Sequence, residues 1–232
     1  MKNLFAVLKK NITPRYSMIY LRTLKNRYIY IGLIIYSWML TFAINFFLLS
    51  NTLYYNSLSE QLTIEKIENI IEQSHKWAWI SYLCLAFIYL IKFTLVTLIL
   101  QTGFFFFDRK VGFSILFKAV MLAEIPFLVV PVIKLFWFLF IQTHYTLNDL
   151  QYFFPLSALQ LFDVKSLSTW QIYPLQLFNV FELIYWVLLA YWLKKLLNIS
   201  LNKSMEVVAS SYGTGLLLWV VFITFLSINI AP

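Results

Sequence analysis

The sequence predicts an all-α fold: a polytopic bundle of five membrane-spanning helices, N-terminus cytoplasmic and C-terminus outside. Three observations predict it. Hydrophobic residues make up 61% of the 232-residue chain and charged residues 12%, where a soluble domain carries about 25% charged residues. The apolar residues are gathered into runs long enough to cross the hydrocarbon, which takes about 20 residues of a helix rising about 1.5 Å per residue. The cations stand beside those runs instead of forming a stripe on a polar face, as membrane insertion requires.

Residues 1–27 form a basic juxtamembrane segment with seven cations, Lys2, Lys9, Lys10, Arg15, Arg22, Lys25 and Arg27, and no acidic residue. Such a segment is expected to lie on anionic headgroups, each cation near the surface contributing about 1 kcal/mol. Pro14 interrupts any continuous helix there. The basic region and the apolar run after it are too long for a cleaved signal peptide.

The first span is expected at about 28–49, uncharged throughout. Beyond it, Glu60, Glu65, Glu68 and Glu72 mix with Ile64, Ile67, Ile70 and Ile71 at helical spacing, which predicts an amphipathic helix on the outer surface over about 57–75. Ser57 and Glu60 have capping-box spacing at its start. The second span runs from about 77 to 106 and ends at the charged turn Asp108, Arg109, Lys110; its length implies tilt.

The third span, about 111–141, holds Pro126 and Pro131. Each removes a backbone donor and crowds the preceding turn, so a kink or break is expected. Residues 142–174 form a loop rich in aromatics, placed at the membrane interface. The fourth span covers about 175–193, closed by Lys194 and Lys195, and the fifth about 207–230. One membrane domain, 28–232, follows the basic segment. Twelve cations fall on the side of the N-terminus and three, Lys66, Lys76 and Lys165, on the other, which sets the orientation.

Ionisable residues inside spans are the candidate site, because a charge at mid-membrane costs at least about 2.5 to 3.5 kcal/mol. Lys92 and Glu124 each lie 13 or 14 residues from the 107–110 turn, roughly 20 Å from it on antiparallel neighbours, so an ion pair is expected. Glu182 extends the cluster or bonds Tyr185 or Tyr191. Such a cluster either fixes helix register or forms a polar path for an ion, a proton or a polar substrate; register is the favoured reading. Lys118 and Lys134 are expected to snorkel toward opposite interfaces.

Other residue types carry less. His75 and His144 have no second ligand at metal spacing, and no metal or cofactor is expected. Cys84, the one cysteine, is read as a buried inert thiol. No catalytic or phosphate-binding motif occurs, which argues against an enzyme, including one acting on lipid through Glu124 or Glu182. The cation distribution argues against a nucleic-acid partner. Ala209, Ser210, Ser211, Gly213 and Gly215 supply small residues for close helix packing within the bundle or with a partner.

The order of features resembles the Yip family of five-span membrane proteins, named for interaction with Rab-type GTPases and having bacterial relatives. The resemblance rests on the charged turn and Gly112 before an apolar span, Pro126 within that span, the Val-Phe-Glu-Leu-Ile-Tyr-Trp run at 180–186, and the polar turn Leu-Asn-Ile-Ser-Leu-Asn-Lys-Ser at 197–204 before a last apolar span. The Gly-Gly pair common in the second-to-third turn of that family is absent. The resemblance implies a five-helix bundle that organises membrane partners, and it carries over no residue for GTPase contact. The expected function is a non-catalytic membrane subunit or scaffold with a membrane-protein partner or a second copy. The alternative is a permease subunit with a path through Lys92, Glu124 and Glu182. A bacterial inner membrane is the expected location.

Overall fold

The structure is a computed structural model, and it describes residues 23–230. Lys9, Lys10, Arg15 and Arg22 lie outside the described residues; Lys25 and Arg27 stand at the start of the first helix. The described residues form helices and turns, with no strand beyond an isolated antiparallel bridge between Ser157 and Asn179. Four helical stretches are long and apolar enough to cross a membrane: Asn26–Leu48, Ile64–Phe106, Phe113–Ile141 and Leu201–Asn229.

Helix α1 spans Asn26–Leu48 and α2 spans Asn51–Leu58. Ser50 caps α2 by accepting from the Leu53 N–H. Helix α3 then runs unbroken over Ile64–Phe106, 43 residues or about 64 Å. The separate outer helix expected at 57–75 is therefore not formed: its second half is the first part of α3, because no proline or glycine occurs between 64 and 102 to stop it. Nor do Ser57 and Glu60 cap a helix. The Ser57 hydroxyl instead accepts from the Leu147 N–H at 3.0 Å, and Ile67 and Ile71 are buried at this end while Ile64 and Ile70 remain exposed.

Asp108 takes a left-handed backbone, φ 53°, while the Arg109 N–H returns to the Phe104 carbonyl at 3.0 Å. This closes α3 with a residue type that tolerates that conformation better than most. The chain re-enters as α4, Phe113–Ala123, and α5, Ile125–Phe136, separated at Glu124. Pro126 sits in the first turn of α5, where a missing N–H is tolerated, whereas Pro131 lies inside that helix. A wide π turn, Trp137–Ile141, follows.

The 142–174 segment is more ordered than a loop. It holds α6, Leu147–Gln151, capped reciprocally by Thr146 and Asp149, then two 3₁₀ turns, Ala158–Leu161 and Val164–Ser166. Helix α7, Thr169–Leu177, ends before Asn179, whose side chain caps α8, Val180–Leu197. The span expected at 175–193 is thus interrupted at Phe178 and Asn179. The Asn179 carboxamide accepts from the Glu182 N–H at 2.7 Å, a helix start that outcompetes continuation from α7. The Ala158 N–H donates to the Phe178 carbonyl at 2.8 Å and the Val180 N–H to the Leu156 carbonyl at 3.1 Å, so the interrupted backbone is paired inside the protein.

Asn198, at φ 53°, ends α8. Helix α9, Leu201–Val207, a π turn, Val208–Gly213, and α10, Thr214–Ile230, complete the chain. Helix α4 packs against α1, α3 and α8, the second π turn packs against α3, and α7 packs against α10. The main core is a set of stripes at helical spacing: Phe93, Val96, Leu100 and Phe104 of α3; Leu116, Ala119, Val120 and Ala123 of α4; Tyr185, Leu189 and Leu193 of α8; and Val207, Val208 and Tyr212. A smaller cluster of Leu48, Leu53, Phe138 and Leu150 closes the opposite end. Cys84 is exposed on α3, contrary to expectation, because the buried stripe through the middle of that helix begins only at Phe93.

Candidate functional site

The core of the bundle holds two buried carboxylates and one amine. Lys92 of α3 extends its ammonium to Glu124 at the α4–α5 break, with Nζ 2.6 Å from Oε1. The Lys92 side chain is 33% exposed and that of Glu124 is 1% exposed, so the pair is embedded on the carboxylate side. The Lys92 Nζ also lies 4.2 Å from the centroid of the Phe127 ring and 5.7 Å from that of Tyr185. Aromatic faces of this kind take part of the place of the ammonium's lost hydration.

Helical geometry explains the meeting. The break puts Glu124 and Phe127 one turn apart on the start of α5, and the Phe127 N–H closes that turn on the Glu124 carbonyl at 3.0 Å. Tyr185 of α8 then packs on Phe127, ring centroids 5.3 Å apart, and on Tyr212 of the second π turn, also 5.3 Å. The α3, α5, α8 and π-turn side chains therefore converge on one point.

Glu182 joins from the first turn of α8, where the positive end of the helix dipole favours an anion. Its Oε1 accepts from the Tyr212 hydroxyl at 2.7 Å and from the Trp186 indole N–H at 2.9 Å. These are not the partners the sequence suggested. The Tyr185 hydroxyl has no partner although its side chain is fully buried, and Tyr191 faces outward beside Lys195. Trp186 was legible as the residue four positions after Glu182 on the same face; Tyr212 was not, being thirty residues away on a non-α turn. Glu124 Oε2 is the second buried polar atom here without a partner.

The remaining ionisable groups lie elsewhere. Lys118 Nζ donates to the Leu24 carbonyl at 2.7 Å, and Asn26 Nδ2 donates to the Ser114 carbonyl at 2.8 Å, so the starts of α1 and α4 meet at one end of the bundle. Lys134 Nζ reaches the Leu150 carbonyl at the other end. His75 and His144 are both exposed and belong to different elements; among the described residues no group of three or more His, Cys, Asp or Glu side chains is placed to hold a metal ion.

One cavity flanks this arrangement and another lies at the far end of the bundle. One of about 280 Å³ lies between α5, α7 and the start of α8, lined by Phe127, Pro131, Phe154, Tyr173, Asn179 and Phe181 among others; it shares Phe127 with the Lys92 cage. The other, about 410 Å³, is lined by Ser50, Asn56, His144 and Asp149 among others. The small residues of the last helix are used inside the bundle at three positions: a Cβ added to Gly213 would meet Trp186, and one added to Gly215 would meet Ile99, while Ser211 abuts Gly103. Ala209 and Ser210 face outward. Comparison with family models, curated proteins and solved structures finds no match to this chain.

Proposed function

We propose that the chain is a five-span, non-catalytic membrane subunit or scaffold that assembles with other membrane proteins, as the Yip-like order of its features implies. The observation that carries this reading is that Lys92, Glu124 and Glu182 serve as fasteners between helices: Lys92 ties α3 to the α4–α5 break, and Glu182 ties α8 to the second π turn. Phe127, Tyr185 and Tyr212 pack around them. Charges used in this way favour one fixed arrangement of helices, which is what a platform for partners needs.

The span to be added to the four long apolar stretches is α8, fourth in chain order. Its 18 residues carry Glu182, Lys194 and Lys195; Glu182 is hydrogen-bonded inside the bundle, while the two lysines stand at the closing end, where they can snorkel. The orientation with the N-terminus inside is supported by the gathering of cation-rich ends: the start of α1 contacts the start of α4, and Lys203 Nζ lies 6.0 Å from the centroid of the Phe107 ring beside the 108–110 turn. A bacterial inner membrane fits that charge asymmetry, and anionic headgroups are the matching surface for the basic segment.

A second reading, a permease subunit with its polar path through Lys92, Glu124 and Glu182, is favoured by two interruptions at the cluster. Both α5 and α8 begin there, and helix starts at membrane depth are a recurrent way of building substrate sites. The deciding experiment is purification of the tagged protein in mild detergent with mass spectrometry of what stays bound, using the native chain and the Lys92→Met/Glu124→Leu pair. A scaffold retains a stoichiometric partner in both. A native chain that emerges alone, and a pair that stays folded but abolishes flux in reconstituted vesicles, would transfer the assignment to transport.

A further inference from the structure

The buried cluster contains one carboxylate more than its single ammonium can balance, and it leaves two polar atoms unpaired. Glu182 has the environment of an anion: two donors converge on its Oε1, Asn179 holds its N–H, and it occupies the first turn of α8. With Lys92 charged and Glu182 charged, the set is already neutral. An ionised Glu124 would then add a net negative charge at a residue 1% exposed, with Oε2 receiving no donor. Buried charge without a partner is the costliest arrangement available to a membrane bundle.

We infer that the cluster is a proton-binding site: one exchangeable proton resides on Glu124 Oε2, making the Lys92, Glu124 and Glu182 set neutral within the bundle. In that state Oε1 is the carbonyl oxygen that accepts from Lys92, and Oε2 carries the hydrogen, so no buried negative charge is left without a donor. The Tyr185 hydroxyl, fully buried and likewise without a partner, belongs to the ring that packs between Phe127 and Tyr212 and marks the same point as a place where polar capacity exceeds what the fold itself uses. This holds whether the chain scaffolds or transports.

The groups that face Glu124 come from every neighbouring element. Helix α3 supplies Lys92 and Tyr89, the latter accepting from Ser37 of α1. Helix α8 supplies Glu182 and Tyr185, and the second π turn supplies Tyr212. Arg27 is the charged residue of α1 and lies at its exposed end; Lys118 of α4 and Lys134 of α5 are bonded to carbonyls at opposite ends. The balance of charge therefore rests on Lys92 against two carboxylates.

The test is infrared spectroscopy of the full chain in lipid nanodiscs near neutral pH, reading the carbonyl stretch of a protonated carboxylic acid. The other eight Asp and Glu side chains are all exposed, so a buried acid stands out. The native protein should show one such band. Glu124→Gln should abolish it, and so should Glu182→Gln, because Lys92 then needs Glu124 ionised, whereas Lys92→Met should retain it. Tyr212→Phe keeps every charge and, of the two carboxyl groups, removes a hydrogen bond from Glu182 and none from Glu124, so it should leave the band in place. No band in the native protein, a band surviving Glu124→Gln in folded protein, or a band displaced by Tyr212→Phe would each overturn the assignment.

Discussion

Gly103 of α3 and Ser211 of the second π turn stand backbone to backbone: a Cβ built on Gly103 would lie 2.5 Å from the Ser211 Cβ and 2.7 Å from its Oγ. The Ser211 Cβ is fixed by its own backbone and cannot swing aside, so the two segments must part if any side chain is added. Gly103→Ala is expected to destabilise by about 1 to 3 kcal/mol, the usual range for overpacking. Gly32→Ala is the control, since nothing lies within 4 Å of its added Cβ, and removing a mid-helix glycine should stabilise by up to about 1 kcal/mol. Thermal unfolding of both variants in one detergent gives the comparison, and equal effects would contradict the close contact.

Breaking the Lys92–Glu124 pair by one partner should cost more than replacing both. Lys92→Met alone leaves the buried Glu124 carboxyl with no hydrogen-bond partner, with an expected loss of about 2 to 3 kcal/mol. Lys92→Met with Glu124→Leu should recover most of it. Chemical denaturation of the two singles and the double forms the cycle; strict additivity would mean the pair contributes nothing.

Glu182 depends on two donors, and their removal should be cooperative. Tyr212→Phe and Trp186→Phe each delete one hydrogen bond to Oε1, worth about 1 kcal/mol inside a membrane protein. The double variant should lose more than the sum, because it leaves Glu182 buried with no side-chain donor. The same unfolding assay reads the excess.

Leu156 has φ 57°, a conformation that costs an ordinary side chain roughly 1 to 2 kcal/mol. It is held there by the Val180 N–H on its carbonyl and by the neighbouring Ala158-to-Phe178 bond. Since the side chain is exposed, Leu156→Asn should stabilise by about 0.5 to 1 kcal/mol, visible as a raised melting temperature. A drop would show that the leucine side chain anchors the segment.

Hydrophobic run length makes α1, α3 and the last span legible in the amino-acid sequence, and counting residues from the 107–110 turn brings Lys92 level with Glu124. What escapes such reading is phase and interruption. Asn179 followed three residues later by Glu182 is a helix-start pattern, yet the apolar run over 175–193 masks it, so the beginning of α8 is placed too early. Cys84 is misplaced because an apolar residue in a spanning helix is as well suited to lipid as to the core, and hydrophobicity alone does not say which. Tyr212 reaches the site only through the packing of α8 on the second π turn, a relationship no local pattern encodes.

That second π turn, Val208–Gly213, also acts as a rotational offset. A wide turn accommodates one residue more than the regular spiral, and one residue of α-helix is about 100° of rotation and about 1.5 Å of rise. Deleting a single residue between 208 and 213 would let the spiral close to a regular α-helix with Thr214–Ile230 keeping its present facing, Gly215 on Ile99 and Trp219 on the Tyr173 hydroxyl that it meets at 2.7 Å. A regular spiral with every residue of the turn retained would instead swing all of Thr214–Ile230 by more than a quarter circle relative to Leu201–Val207. The wide turn is therefore where one surplus residue is absorbed, and the facing of the last helix depends on its staying wide.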